Sequence, residues 1–216
     1  MKNQFIQVKT TYFLGLISAI LLTFSSCEKE TPGIYNDHII VAGDYLNKVS
    51  GNYWEYTTIT EKDTSKWEIE VLDSTTNFRL NQYAYFQKTL NGSKSLNYYA
   101  YQSCNYYSLI KDGNGSLQEL IYFKDSLSIG DKWSQKIIGN GGITLTYNFE
   151  TINTDYLYTG KYANGSSVQV RLTIPEINYI CDSYYMHWYG LVGMTETNNG
   201  IISKTDLSSY MLADNF

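Results

Sequence analysis

Few side chains in this sequence are equipped for chemistry, and most of them stand alone. The cysteines are Cys27, Cys104 and Cys181, and the histidines are His38 and His187. A catalytic triad needs a nucleophile, a base and an orienting group converging on one point. Asp182 and His187 supply an acid and a base, but they sit five residues apart in a strand-like run, Asp182-Ser183-Tyr184-Tyr185-Met186-His187-Trp188-Tyr189. In a strand that spacing turns them to opposite faces, and no Gly-x-Ser-x-Gly elbow provides a nucleophile. Neither Cys104 nor Cys181 has a second cysteine or histidine at zinc-ligand spacing. Asp112-Gly113-Asn114-Gly115 starts like a calcium loop, but that loop needs glycine at its sixth place and glutamate at its twelfth, where this chain has Leu117 and Phe123. There is no phosphate loop and no dinucleotide fingerprint. The expectation is a chain with no catalytic residue, no metal and no cofactor.

Cys27 differs from the other cysteines because of what precedes it. Lys2 and Lys9 are the charges that open the chain, and Phe13 to Phe24 then reads FLGLISAILLTF, almost wholly apolar. A basic start, an apolar run of roughly 7–15 residues and a small-residue exit form the pattern of a secretory signal. The run is short of the ~20 apolar residues that a spanning helix needs. The alternatives are an uncleaved anchor and a plain signal peptide with an incidental cysteine.

Phe24-Ser25-Ser26-Cys27 resembles a bacterial lipobox, the site at which lipoprotein processing acylates the cysteine and cuts just before it. The commonest pattern has leucine where this chain has Phe24, and glycine or alanine where it has Ser26. Those departures are similar to lipoproteins of the Bacteroidetes type, in which a lysine-acidic stretch after the cysteine, here Glu28-Lys29-Glu30, is a surface-export signal. The resemblance implies that residues 1–26 are a cleaved signal and that the Cys27 thiolate takes the lipid. It also implies a place at the outer membrane, on its periplasmic or cell-surface face. Stable anchoring takes more than one acyl chain, at about 0.8 kcal/mol per buried methylene, and a triacylated cysteine meets that requirement.

Cleavage before Cys27 leaves 190 residues, with 14 basic against 21 acidic side chains and a formal charge of −7. That length suits one domain with a real core. No basic stripe exists to hold nucleic acid, and the acidic balance argues against the module itself lying on anionic lipid. Once Cys27 is acylated, Cys104 and Cys181 either form a disulfide in an oxidising compartment or remain two free, buried thiols.

The elements that position these residues read as strands. Trp67, Ile69 and Val71 share one face of Lys66–Val71, and Ile143–Glu150 and Val168–Ile174 alternate in the same way. Turn signals separate the runs: Asp63-Thr64-Ser65, Asn91-Gly92, Asp112–Gly115, Asn140-Gly141-Gly142, Asn164-Gly165 and Asn199-Gly200. Residues 27–43 read as a lipidated tether broken at Thr31-Pro32-Gly33, with His38 solvated and Ile39–Ala42 a short strand or docking segment. One helical turn is expected over Asp44–Val49, capped by Asp44. Residues 44–216 are then an all-β single domain of about ten antiparallel strands. A meander of that size curls, closes or splits, and a strongly curved or barrel-like sheet is preferred here over a sandwich. The composition is rich in tyrosine, 22 residues against 2 prolines, and tyrosine suits a pleated, half-wet surface.

Gly51-x-x-Trp54-x-Tyr56, Ile129-Gly130-Asp131-Lys132-Trp133, Glu150-Thr151 and Gly190-Leu191-Val192-Gly193-Met194 occur in that order. This skeleton resembles a broad group of small bacterial lipoproteins of unknown function, which implies the fold and brings no catalytic residues. The two Gly-x-x-Trp copies suit glycine turns that swing a tryptophan inward, and they leave an ancestral duplication open. Three functions follow. The first is a non-enzymatic lipoprotein whose module binds a glycan, peptide or protein partner through exposed tyrosines. The second is a carrier holding a lipid in a concavity lined by side chains such as Trp188 and Leu191. The third is an enzyme with a hidden site.

Overall fold

The alternation of apolar and polar side chains persists along almost the whole described chain, and it produces strand after strand. The computed structural model describes residues 45–213. In order, its strands are β1 (Tyr53–Thr60), β2 (Thr64–Phe78), β3 (Asn81–Leu90), β4 (Ser93–Gln102), β5 (Asn105–Lys111) and β6 (Leu117–Lys124). They continue with β7 (Lys132–Ile138), β8 (Thr144–Thr159), β9 (Asn164–Ile174), β10 (Tyr179–Met186), β11 (Gly190–Asn198) and β12 (Ile201–Met211). The strands number twelve rather than ten. The reason lies in turns without glycine: Arg79, Ser103, Cys104 and Trp188 adopt positive φ at hairpin turns, where a scan for Asn-Gly or Asp-Gly does not register them. The signal segment, the tether with Cys27 and His38, Ile39–Ala42 and Asp44 lie outside the described residues. Residues 45–49 form no helical turn; Val49 N–H instead donates to the Asn47 side-chain oxygen at 3.2 Å.

All twelve strands form one antiparallel sheet in the order β6-β5-β4-β3-β2-β1-β12-β11-β10-β9-β8-β7. Consecutive strands pair throughout except β6 with β7, and β1 also pairs with β12, where Tyr53 lies opposite Met211. The two ends of the sheet are therefore β6 and β7, which are consecutive in the chain and come together in a nearly closed barrel. Side chains replace the ladder along this seam. The Trp133 indole N–H donates to the Ile121 carbonyl at 2.9 Å, and Ile121 N–H donates to Gln135 Oε1 at 2.6 Å. Gln135 Nε2 reaches the Glu119 carbonyl at 3.5 Å, and Gly113 N–H donates to the Ile138 carbonyl at 2.9 Å. Edge groups that would otherwise invite another strand are thereby occupied.

The two Gly-x-x-Trp copies occupy matching places. Gly51 N–H donates to the Val71 carbonyl, Val71 N–H to the Asn52 carbonyl, and Asn52 N–H to the Val49 carbonyl. The same three bonds recur from Gly130 to Thr151, from Thr151 to Asp131, and from Asp131 to Ser128. Both glycines sit at positive φ, +85° and +89°, which costs them no Cβ clash. Each copy opens a run of six strands whose second member is unusually long, with 15 residues in β2 and 16 in β8. The match ends at the indoles. Trp133 bridges the seam, whereas the buried Trp54 stacks on Phe86 and its N–H has no acceptor.

Bulges in β2 and β8 bend these long strands out of the barrel wall, and their hairpins fold over the outside. The β2–β3 tip covers a small second core of Tyr83, Ala100 and Leu109. It is held to β6 by Glu119, which accepts from Tyr83 at 2.7 Å, Asn81 at 2.8 Å and Arg79 at 3.1 Å. On the other half, Tyr158 of β8 donates to the Val192 carbonyl and to Asp206. It lies flat on Gly193, where any Cβ would fall 2.1 Å from the tyrosine oxygen.

Replacing Gln135 with leucine removes the acceptor for Ile121 N–H at the seam. The expected loss is about 1–3 kcal/mol, the cost of stranding a part-buried donor. Denaturant unfolding measures it, and faster hydrogen exchange at Ile121 than at Tyr106 would locate the opening.

Candidate functional site

The interior of the barrel has two unlike halves. At one end lie the β2–β3, β4–β5, β8–β9 and β10–β11 turns, with both ends of the described chain. Here the inward side chains Trp54, Phe86, Tyr106, Phe123, Val192 and Leu207 are buried and pack into a dry core. Towards the other end, which carries the β1–β2, β3–β4, β5–β6, β7–β8, β9–β10 and β11–β12 turns, inward residues keep accessible surface. Tyr147, Leu172 and Met194 point inward there from the register of their strands and remain half-buried, whereas Tyr99, Tyr122 and Tyr185, also half-buried, pack lower down against the core, Tyr99 on Phe86 and Tyr185 on Phe123. The inward face of this half therefore stays in contact with solvent.

The floor of this basin is phenolic. Tyr56, fully buried, stacks on Trp67 with ring centroids 4.2 Å apart and donates to the Leu191 carbonyl at 2.8 Å. Tyr99 and Tyr122 meet edge to face at 5.6 Å, and Tyr122 lies 6.3 Å from Tyr185. Burial raises the pKa of all four phenols, and for Tyr56 the nearby Tyr99 and Tyr185 rings add to it.

Polar groups occupy the wall nearer the mouth. Tyr179 donates to Glu196 at 2.5 Å, and Ser203 Oγ lies 3.4 Å from the same carboxylate. Cys181, on the same inward face, is a free thiol whose Sγ is 3.4 Å from Ser183 Oγ, and burial raises its pKa. Of the two alternatives open for Cys104 and Cys181, a bridge between them is therefore not formed: Cys104 sits in the β4–β5 turn, and Cys181 lies inside on β10 as a buried free thiol. Lys88 faces inward from β3, with its ammonium 4.1 Å from the centre of the Trp67 ring. Burial lowers its pKa, and Glu196 raises it by a smaller amount.

Exposed isoleucines sit at the same end, Ile59 and Ile202 on the outward phase of their strands. Ile59 is 52% exposed, Ile143 60%, Ile201 66% and Ile202 54%. Elsewhere the titratable groups serve the fold. Asp125 accepts from Tyr106 at 2.7 Å and from Tyr101, and Tyr45 N–H donates to Tyr106 at 3.3 Å, which ties the start of the described chain to the closed end. Asp112 closes its own turn through Asn114, Ser116 and Gln118.

The acid and base singled out in sequence do not meet. Asp182 pairs with Arg171 at 2.7 and 2.8 Å on the outer wall. His187 is exposed in the β10–β11 turn, edge-on to Tyr45 and Trp188. Trp188 also departs from its expected place: it is 53% exposed in that turn and does not line the interior, while Leu191 packs on the core. Lys88 and Glu196 are the residues that sequence reading passed over. Each carries a charge in the apolar phase of its strand, Phe86-x-Lys88-x-Leu90 and Met194-x-Glu196, and that phase error is the signal that finds them.

No family model and no curated protein matches this chain. Among solved structures, an exported protein with a YmcC-like fold from Bacteroides fragilis is similar, at 11% identity and a TM-score of 0.52 over 79% of this chain and 100% of that one. A Parabacteroides distasonis protein assigned as a lipoprotein aligns at 14% identity and a TM-score of 0.49, over 76% of this chain and 96% of that one. At such identity the first likeness establishes the fold alone.

The buried phenols predict an alkaline limit on stability. Tyr56, Tyr106 and Tyr158 have pKa values raised above the ordinary 10.0, mainly by burial, and for the last two also by their bonds to Asp125 and Asp206. Folding thus favours the protonated phenol. The stabilisation is complete below about pH 10 and is lost as pH rises and the unfolded chain ionises, by about 1.4 kcal/mol per phenol per pH unit. Tyrosinate absorbance should show a late group of phenols that titrates together with unfolding.

Proposed function

We propose that this protein is a lipid-anchored, non-enzymatic component of the cell envelope, held at the outer membrane through acylated Cys27, whose barrel binds an apolar or amphipathic small molecule. The partly exposed inward face near the mouth of the barrel carries this reading. A basin of half-buried aromatic and apolar side chains matches the usual build of a small-molecule site, mostly apolar with a few placed polar groups. The fold shared with an exported protein accords with an envelope location.

A glycan site on the outer wall fits less well. Sugar rings stack on flat aromatic platforms, whereas the outer pair Tyr85–Tyr98 stands edge to face at 87°. Peptide and protein partners are left to the rim.

Replacing Cys27 with alanine should move the protein from the membrane fraction to the soluble fraction; continued sedimentation with membranes would remove the anchor. For the ligand, the neutral fluorophore 1-N-phenylnaphthylamine should bind the unacylated mature chain and brighten. Ser183→Trp, which fills the basin from a small inward residue, should weaken that binding at least tenfold with the fold intact by circular dichroism. Unchanged binding in the variant would place the probe elsewhere and defeat the interior site.

A further inference from the structure

The geometry points to an anionic headgroup on the ligand: Lys88 is the receptor for the carboxylate or phosphate of a single-chain amphiphile whose tail lies deeper, against Tyr99, Tyr122 and Met194. The inference rests on the interior site proposed above and adds the chemical class of its occupant.

Lys88 stands out first by its direction. β3 alternates, and Ala84, Phe86, Lys88 and Leu90 share the inward face, so the lysine breaks an otherwise apolar row. It is half-buried, and among the described residues no carboxylate lies within the 4.0 Å of an ion pair. Its close partner is the Trp67 ring at 4.1 Å. A cation–π contact returns only part of the hydration that a half-buried ammonium gives up. The ammonium is accordingly destabilised where it stands, in keeping with its lowered pKa. An anion arriving in the basin would remove that deficit.

The acid across the basin does not serve this purpose. Glu196 acts on Lys88 only at a distance, and its carboxylate already accepts from Tyr179 at 2.5 Å, with Ser203 at 3.4 Å. Depth fixes the orientation of the ligand. Lys88 lies two residues from the mouth end of β3, opposite Ser95, whereas Ala84, four residues deeper on the same face, lies opposite Tyr99. A headgroup at Lys88 therefore leaves its tail pointing down onto the aromatic floor.

The test uses the unacylated mature chain and four probes with one tail: dodecanoate, dodecyl phosphate, dodecanol and dodecyltrimethylammonium, each competing with 1-N-phenylnaphthylamine. The wild-type residue should favour the two anions over the alcohol by at least tenfold, and the cation should bind weakest. Lys88→Gln should erase the preference while leaving dodecanol affinity within about twofold. Lys88→Arg should keep the preference, and Glu196→Gln should increase it. Comparison of the two anions identifies carboxylate or phosphate as the better headgroup. Equal affinity for anions and alcohol, or a preference that survives in Lys88→Gln, would overturn the inference while leaving the interior site standing. Failure of every probe to bind would bring down the interior site and this inference together. If Lys88→Gln does not fold, Lys88→Met with the same readout replaces it, since methionine keeps the stem that covers Trp67.

Discussion

A sheet of twelve strands has two edges, and the rest of this structure depends on how those edges meet. Backbone groups at an edge must find partners or remain open to another chain. Here β6 and β7 satisfy one another through Trp133, Gln135 and Ile121 more than through a ladder. Their junction curves the remaining strands into a wall with an inside and an outside. With an inside defined, alternation sorts every side chain: Trp54 and Tyr56 inward on β1, Glu55 outward beside Lys66.

The inside is then divided unequally. The closed half carries the aromatic bulk and supplies the hydrophobic stabilisation, at roughly 25 cal/mol for each Å² of apolar surface removed from water. The open half uses the same kind of side chain and keeps part of its inward face in water. Tyrosine permits this division because its ring packs while its hydroxyl tolerates water. The long hairpins bent over the outside by bulges give each half of the sheet a partial second layer, so the barrel does not rely on its interior alone.

Much of this was legible in the sequence, and what was hidden has physical reasons. The one-faced alternation of Trp67, Ile69 and Val71 reads directly as a strand, and the all-β, barrel-like class follows from its repetition. The Gly-x-x-Trp copies mark the starts of β1 and β7 because positive φ at Gly51 and Gly130 is written in the residue type. The turns at Arg79, Ser103 and Trp188 were not legible, because ordinary residues hold positive φ there under tertiary constraint. Whether Cys104 pairs with Cys181 stayed open in the sequence because spacing in the chain does not report distance across a barrel, and Cys181 is a free thiol. The basin itself was partly written, in the charges of Lys88 and Glu196 that fall on the apolar phase. The extent of that exposed inward face was not, since it depends on the register of all twelve strands at once.

The pairing of β1 with β12 has a consequence for how the molecule is made. Until the last strand is present, β1 and β11 are both unpaired edges and the wall cannot close. Contacts between the first and last strands are the slowest to form, because the loop they close is the longest available. A chain threaded through a membrane amino end first would thus reach the far side unable to complete its barrel until its carboxyl end followed.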